Sequence, residues 1–151
     1  MKRILFLLLF ISVAFSCEKS DYTTIPYTQV YVELKLGTGD VELNSNLAYK
    51  TITKPRIGIE KTGFGGILVV NGMGDAPVNL YAYDLACPVE AQSNIRVVPD
   101  ESGITATCPK CGAVFYIATG TGAPQSGTRY RLRLYQVSGD GLPYSTYIVH
   151  N

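Results

Sequence analysis

Between residues 28 and 36 the chain alternates. Val30, Val32, Leu34 and Leu36 fall on one side of an extended backbone, and Tyr31, Glu33 and Lys35 fall on the other. A period of two predicts a half-buried β-strand. Shorter apolar runs predict further strands at 55–59, 67–70, 80–84, 95–98, 104–107, 113–117, 130–136 and 144–149, each bounded by Gly, Pro, Asn or Asp. Beyond the N-terminal segment no window of a dozen residues keeps a 3.6-residue period; 41–50 is the best place for a short helical turn. Gly63-Phe64-Gly65-Gly66 has neither the spacing of a phosphate loop nor a helical pattern after it, and is expected as a hairpin turn. The pattern is all-β, a sandwich or partly open barrel of short antiparallel strands, with no internal repeat and no second domain.

Residues 1–16 break from this pattern. Met1-Lys2-Arg3 precedes an unbroken apolar run, 4–11, and then Ser12-Val13-Ala14-Phe15-Ser16 and Cys17. A basic start, a short apolar core and small residues before a cut describe a secretory signal. The run is too short for a transmembrane helix, which needs about 20 apolar residues. Ala14-Phe15-Ser16-Cys17 is similar to a bacterial lipobox, in which cleavage before a lipidated cysteine leaves the chain anchored to a membrane. An ordinary signal with an incidental cysteine is the alternative. Polar, aperiodic residues follow, so 17–27 is expected to be the lipidated cysteine and its tether, and 28–151 the β domain. The domain would hang in the cell envelope from a membrane it does not cross.

Composition narrows the chemistry. Of the 151 residues, 13 are Lys or Arg and 12 are Asp or Glu; without Lys2 and Arg3 the balance is 11 against 12. A near-neutral domain lacks the basic excess that nucleic acid demands, so nucleic acid is not an expected partner. His150 is the single histidine and stands next to the C-terminus, which excludes an interior triad or a His-rich metal site.

The remaining cysteines carry the strongest signal. Cys87-Pro88-Val89-Glu90 follows the strand at 80–84, and Cys108-Pro109-Lys110-Cys111-Gly112 comes 21 positions later, just before the strand at 113–117. Pro99-Asp100-Glu101-Ser102-Gly103 reads as the turn of a hairpin between them. Such a hairpin brings its ends together, so the two Cys-Pro loops are expected to face each other as a two-loop metal knuckle, with backbone amides turned toward thiolate sulfur. Cys108-Pro109-Lys110-Cys111 is also a C-x-x-C, but a thiol exchanger sets its first cysteine at a helix start, and a strand pattern follows here.

The order of these residues resembles the Rieske iron-sulfur family. In that family a strand ending Ala-Tyr-Asp leads to a Cys-Pro-His box, a hairpin, a Cys-Pro-x-His-Gly box, an aromatic strand, Gly turns and a last strand with Leu and Tyr. Here Ala82-Tyr83-Asp84, Cys87-Pro88-Val89, Cys108-Pro109-Lys110-Cys111-Gly112, Phe115-Tyr116, Thr119-Gly120, Gly122-Ala123-Pro124 and Arg131-Leu132-Arg133-Leu134-Tyr135 stand in that order, over about residues 63–137. The resemblance implies a Rieske-like fold, with Cys87 and Cys108 at ligand positions. Both histidine positions differ: Val89 stands at the first and Cys111 at the second. Val89 has no donor atom, whereas Cys111 is a substituted ligand. The pattern provides no fourth ligand, and Glu90 is the nearest carboxylate, unless it is an ordinary solvated loop residue.

Three thiols admit three outcomes. Zinc is satisfied by Cys₃ and one oxygen. A [2Fe–2S] cluster with thiolates in place of histidines would sit at low potential, and would make the protein a one-electron carrier. A disulfide and a spare thiol would leave a redox-silent structural or interaction protein. None of these makes the chain an enzyme in its own right. Two neighbouring features have both functional and plain readings. Arg129, Arg131 and Arg133 alternate with Tyr130, Leu132 and Leu134, as a docking face for an acidic partner or a solvated sheet face. The phenols of Tyr83 and Tyr116 are donors to metal-bound sulfur, or packing.

Overall fold

Eleven strands carry the fold in a computed structural model that describes residues 22–151; the signal segment, Cys17 and the tether up to residue 21 lie outside the described residues. In chain order the strands are β1 (Val30–Lys35), β2 (Tyr49–Ile52), β3 (Lys61–Thr62), β4 (Ile67–Asn71), β5 (Leu80–Asp84), β6 (Val98–Pro99), β7 (Thr105–Thr107), β8 (Val114–Tyr116), β9 (Pro124–Ser126), β10 (Leu134–Ser138) and β11 (Thr146–His150). Seven of them form a nearly closed antiparallel barrel in the order β2-β4-β5-β10-β11-β1-β3, and the other four form a small sheet in the order β6-β7-β8-β9. The all-β expectation holds.

The alternation that marks β1 has the expected result: Val30, Val32 and Leu34 are buried, and Tyr31 and Lys35 face outward. These residues fill the barrel with Leu36, Leu43, Ile67, Val69, Leu80, Ala82, Tyr135, Tyr147 and Val149. A second core lies between the barrel wall and the small sheet, built from Leu68, Val70, Tyr83, Leu85, Val97, Ala106, Phe115, Ile117 and Leu132. Strand β4 is buried along its whole length because it serves both cores, Ile67 and Val69 on one face and Leu68 and Val70 on the other. Cys87 and Cys108 belong to the second core.

Three expectations change, and a fourth is met in a narrower span. Residues 55–59 form turns, not a strand: Ile57 and Ile59 are exposed, and the chain folds back so that Arg56 meets Glu60 and Asp40. The helical turn expected in 41–50 is a 3-10 turn at Val41–Asn44, and a left-handed Leu47 then redirects the chain into β2. Gly63–Gly66 is not a hairpin turn, since β3 pairs with β1 whereas β4 pairs with β2 and β5. It is a crossing loop drawn onto Asp84, whose buried carboxylate accepts the amides of Phe64 (2.8 Å), Gly65 (2.9 Å) and Ala86 (2.8 Å) and the Tyr135 hydroxyl (2.6 Å). Gly65 is required there, because a Cβ would lie 2.6 Å from the Ala86 nitrogen. Strand β10 starts at Leu134, so the three arginines share no sheet face. Arg133 donates to the Ile25 carbonyl at 2.6 Å, Arg131 to that of Thr121 at 3.4 Å, and Arg129 stacks on Tyr130.

Candidate metal centre

Both cysteine loops are hairpin turns of adjacent ladders. Cys87 leaves β5 and is paired back by Cys87 N–H to Ile95 O (2.9 Å) and Val97 N–H to Leu85 O (2.8 Å). Cys108 leaves β7 and is paired by Cys108 N–H to Ala113 O (2.9 Å), continuing into the β7–β8 ladder. Between them β6 pairs with β7 through Val98↔Thr107 and Pro99↔Ala106, the hairpin expected around residues 99–103. Two ladders joined through β6 and β7 carry their turns at the same end of the small sheet. The thiols consequently meet: Cys87, Cys108 and Cys111 bring their sulfurs within 4.8 Å of one another, with Cys87 Sγ and Cys111 Sγ 3.7 Å apart. This trio could hold a metal ion.

The burial of the three sulfurs differs. Cys87 and Cys108 are both 0% exposed, while Cys111 stands at the surface. Burial pushes the Cys87 thiol up to about 12, although the amides of Glu90 and Val89 point at its sulfur and oppose the rise. Burial also pushes Cys108 up, but the Cys111 and Lys110 amides and the two neighbouring thiols outweigh it, and the thiol lies below its ordinary range. Of the two inner sulfurs, Cys108 is thus the better prepared to be a thiolate, the form that binds metal. Amides aimed at both inner sulfurs are the knuckle arrangement expected from the Cys-Pro boxes.

The other predicted site residues fall as follows. Glu90 is not among the groups that converge; its carboxylate pairs with Lys110 Nζ at 2.6 Å, on the rim beside the thiols. Val89 is exposed. The Tyr83 hydroxyl donates to the Ile117 carbonyl at 2.8 Å, so it is no donor to sulfur. No helix follows Cys111: the chain runs into β8, which removes the thiol-exchanger reading.

Sequence reasoning missed two contributors. Ala91 takes a left-handed conformation (φ 50°) that closes the first turn as Gly112 (φ 72°) closes the second, a role that Gly signals in a sequence and Ala does not. Residues 22–25, expected as part of the tether, make contacts with the domain. Ile25 is buried, the Tyr22 carbonyl accepts from Arg131 N–H at 3.1 Å, and the Thr24 hydroxyl donates to the carbonyl of Pro88 in the first cysteine turn. A single apolar residue in a polar stretch shows no period, so this docking was not legible. Comparison with family models, curated proteins and solved structures finds no match for this chain.

Proposed function

We propose that this protein is a membrane-anchored metal-binding module whose Cys87, Cys108 and Cys111 hold one divalent ion, zinc by the chemistry of the donors. The observation that carries this reading is the mutual spacing of the three sulfurs. Sulfurs bound to one tetrahedral zinc at 2.3 Å lie about 3.8 Å apart, and Cys87 and Cys111 are 3.7 Å apart with Cys108 inside the same 4.8 Å limit. A [2Fe–2S] cluster takes its four ligands as two pairs, one on each iron, held apart by the cluster core. Three sulfurs gathered around one point favour a single ion. With zinc the site is redox-silent, and it fastens the two turns and the second core beneath them.

A Rieske-like ancestry is part of this proposal. Its support is the order of the motif residues, together with two facing turns at one end of a small antiparallel sheet. The family's electron transfer would follow only from a bound cluster. For the anchor, support comes from the lipobox-like Ala14-Phe15-Ser16-Cys17 after a basic start and a short apolar run. A lipid on Cys17 is five residues from Tyr22, at most about 17 Å of extended chain. That would keep the metal turns near the membrane surface.

Elemental analysis of the full chain, purified without air or chelator, tests the metal reading. One zinc per chain without visible colour, lost in Cys108→Ser, is the expected result. Two irons with two sulfides and a red chromophore would replace it with an electron carrier.

A further inference from the structure

The two cysteine turns are one device used twice. Each begins Cys-Pro, each aims the amides of its third and fourth residues at the sulfur of its first, and each closes with a left-handed fifth residue. The closing bonds match: Ala91 N–H to Cys87 O and Gly112 N–H to Cys108 O are both 2.9 Å. Residue by residue, Cys87 repeats as Cys108, Pro88 as Pro109, Val89 as Lys110, Glu90 as Cys111 and Ala91 as Gly112. The fourth position of the second turn, Cys111, reaches across to the first turn and meets Cys87. The fourth position of the first turn reaches across as well. There the Glu90 carboxylate meets Lys110.

We infer that Glu90 is the fourth ligand of this centre, held in reserve by Lys110 until a metal ion arrives. The inference rests on the metal reading above and completes it. The Glu90 side chain is 15% exposed and sits on the rim of the thiol cluster, and its ammonium partner is on a side chain that is 54% exposed. A carboxylate oxygen is an ordinary zinc donor, and three thiolates with one carboxylate fill four coordination positions. On binding, the three thiols give their protons to solvent and zinc exchanges its waters for three sulfurs and one oxygen. The Glu90–Lys110 ion pair opens, and no electron moves.

Cobalt(II) titration of the full chain under anaerobic conditions reads the ligand set directly, through sulfur-to-cobalt charge-transfer intensity. The wild type should show the intensity of three thiolates. Glu90→Cys should raise it by about a third, since four sulfurs replace three, and should tighten zinc binding. Glu90→Gln should weaken zinc about tenfold or more, whereas Lys110→Met, which frees the carboxylate, should not weaken it. The inference is overturned if Glu90→Cys keeps the three-thiolate intensity and Glu90→Gln binds zinc like the wild type; the three cysteines would then bind metal without residue 90. A wild-type chain that takes up neither cobalt nor zinc would overturn the metal reading itself.

Discussion

Asp84 ties two loops and strand β10 to the end of β5. Its carboxylate is 0% exposed and gathers three backbone amides from two loops and the hydroxyl of Tyr135. One of those amides belongs to Ala86, immediately before Cys87, so the residue that ties the crossing loop to the barrel also fixes the start of the first cysteine turn. Burial, and then the nearby Asp84 charge, push the Tyr135 phenol far above its ordinary range, and it stays a donor at any physiological pH. A hydrogen bond to a charged acceptor contributes about 1.5–3 kcal/mol. Tyr135→Phe should therefore lose about 2 kcal/mol in chemical denaturation. Asp84→Asn, which turns an amide donor toward backbone donors, should lose more. An Asp84→Asn chain as stable as the wild type would show that the carboxylate is not what holds these loops. Asp84 was legible as part of an Ala-Tyr-Asp strand end, but its partners were not, because Gly63–Gly66 carries no sign of the carboxylate that captures it.

At the scale of elements, the loop at 55–60 and the 3-10 turn at Val41–Asn44 are held by charge. The Asp40 carboxylate accepts Lys35 N–H, Lys50 Nζ and Arg56 Nη1, each at 2.8 Å, and Glu60 meets Arg56 Nη2 at 2.7 Å. Burial pushes both carboxyls up, but their hydrogen bonds and ion pairs outweigh it, and both lie below the usual carboxylate range. A carboxyl lowered in the folded state binds fewer protons than it does in the unfolded chain. Its contribution is complete above the unfolded value and is lost as pH falls through the folded one. The denaturation midpoint should hold from neutral pH down to about pH 4.5 and then fall. Asp40→Asn should start from a lower midpoint and fall less steeply, and an unchanged slope would assign the acid sensitivity elsewhere. This cluster also explains why 55–59 was misread. Arg56-Ile57-Gly58-Ile59 alternates as a strand does, yet no sheet face is offered to Ile57 and Ile59, and Arg56 is taken by two acids. β1 was legible because its alternation coincides with a real inside and outside. β6 and β9 are too short to show any period.

Across the whole molecule, a barrel and a small sheet pack on the two faces of β4, and three cysteines that could hold a metal ion meet at the second core. The all-β class and the meeting of two cysteine loops were legible, the first from period-two patterning and the second from paired Cys-Pro boxes around a hairpin. The equivalence of the two turns was not, because it is written in backbone conformation and hidden by Ala91 standing where its counterpart is Gly112. A ligand that binds only the folded chain stabilises it by about 4 kcal/mol at a thousand times its Kd. Chelation should thus lower the Tm by several degrees, reversibly on adding zinc; a Tm that ignores both chelator and zinc would deny the centre any structural role. The anchor predicts that the wild-type chain sediments with membranes and that Cys17→Ser leaves it in the soluble fraction, whereas an incidental cysteine predicts the same distribution for both. The most direct test of the central claim is X-ray absorption at the metal edge of the protein as purified. Zinc with three sulfurs at about 2.3 Å and one oxygen at about 2.0–2.2 Å is the expected result. A metal–metal vector from an iron cluster, or no bound metal beside a disulfide between two of the three cysteines, would contradict it.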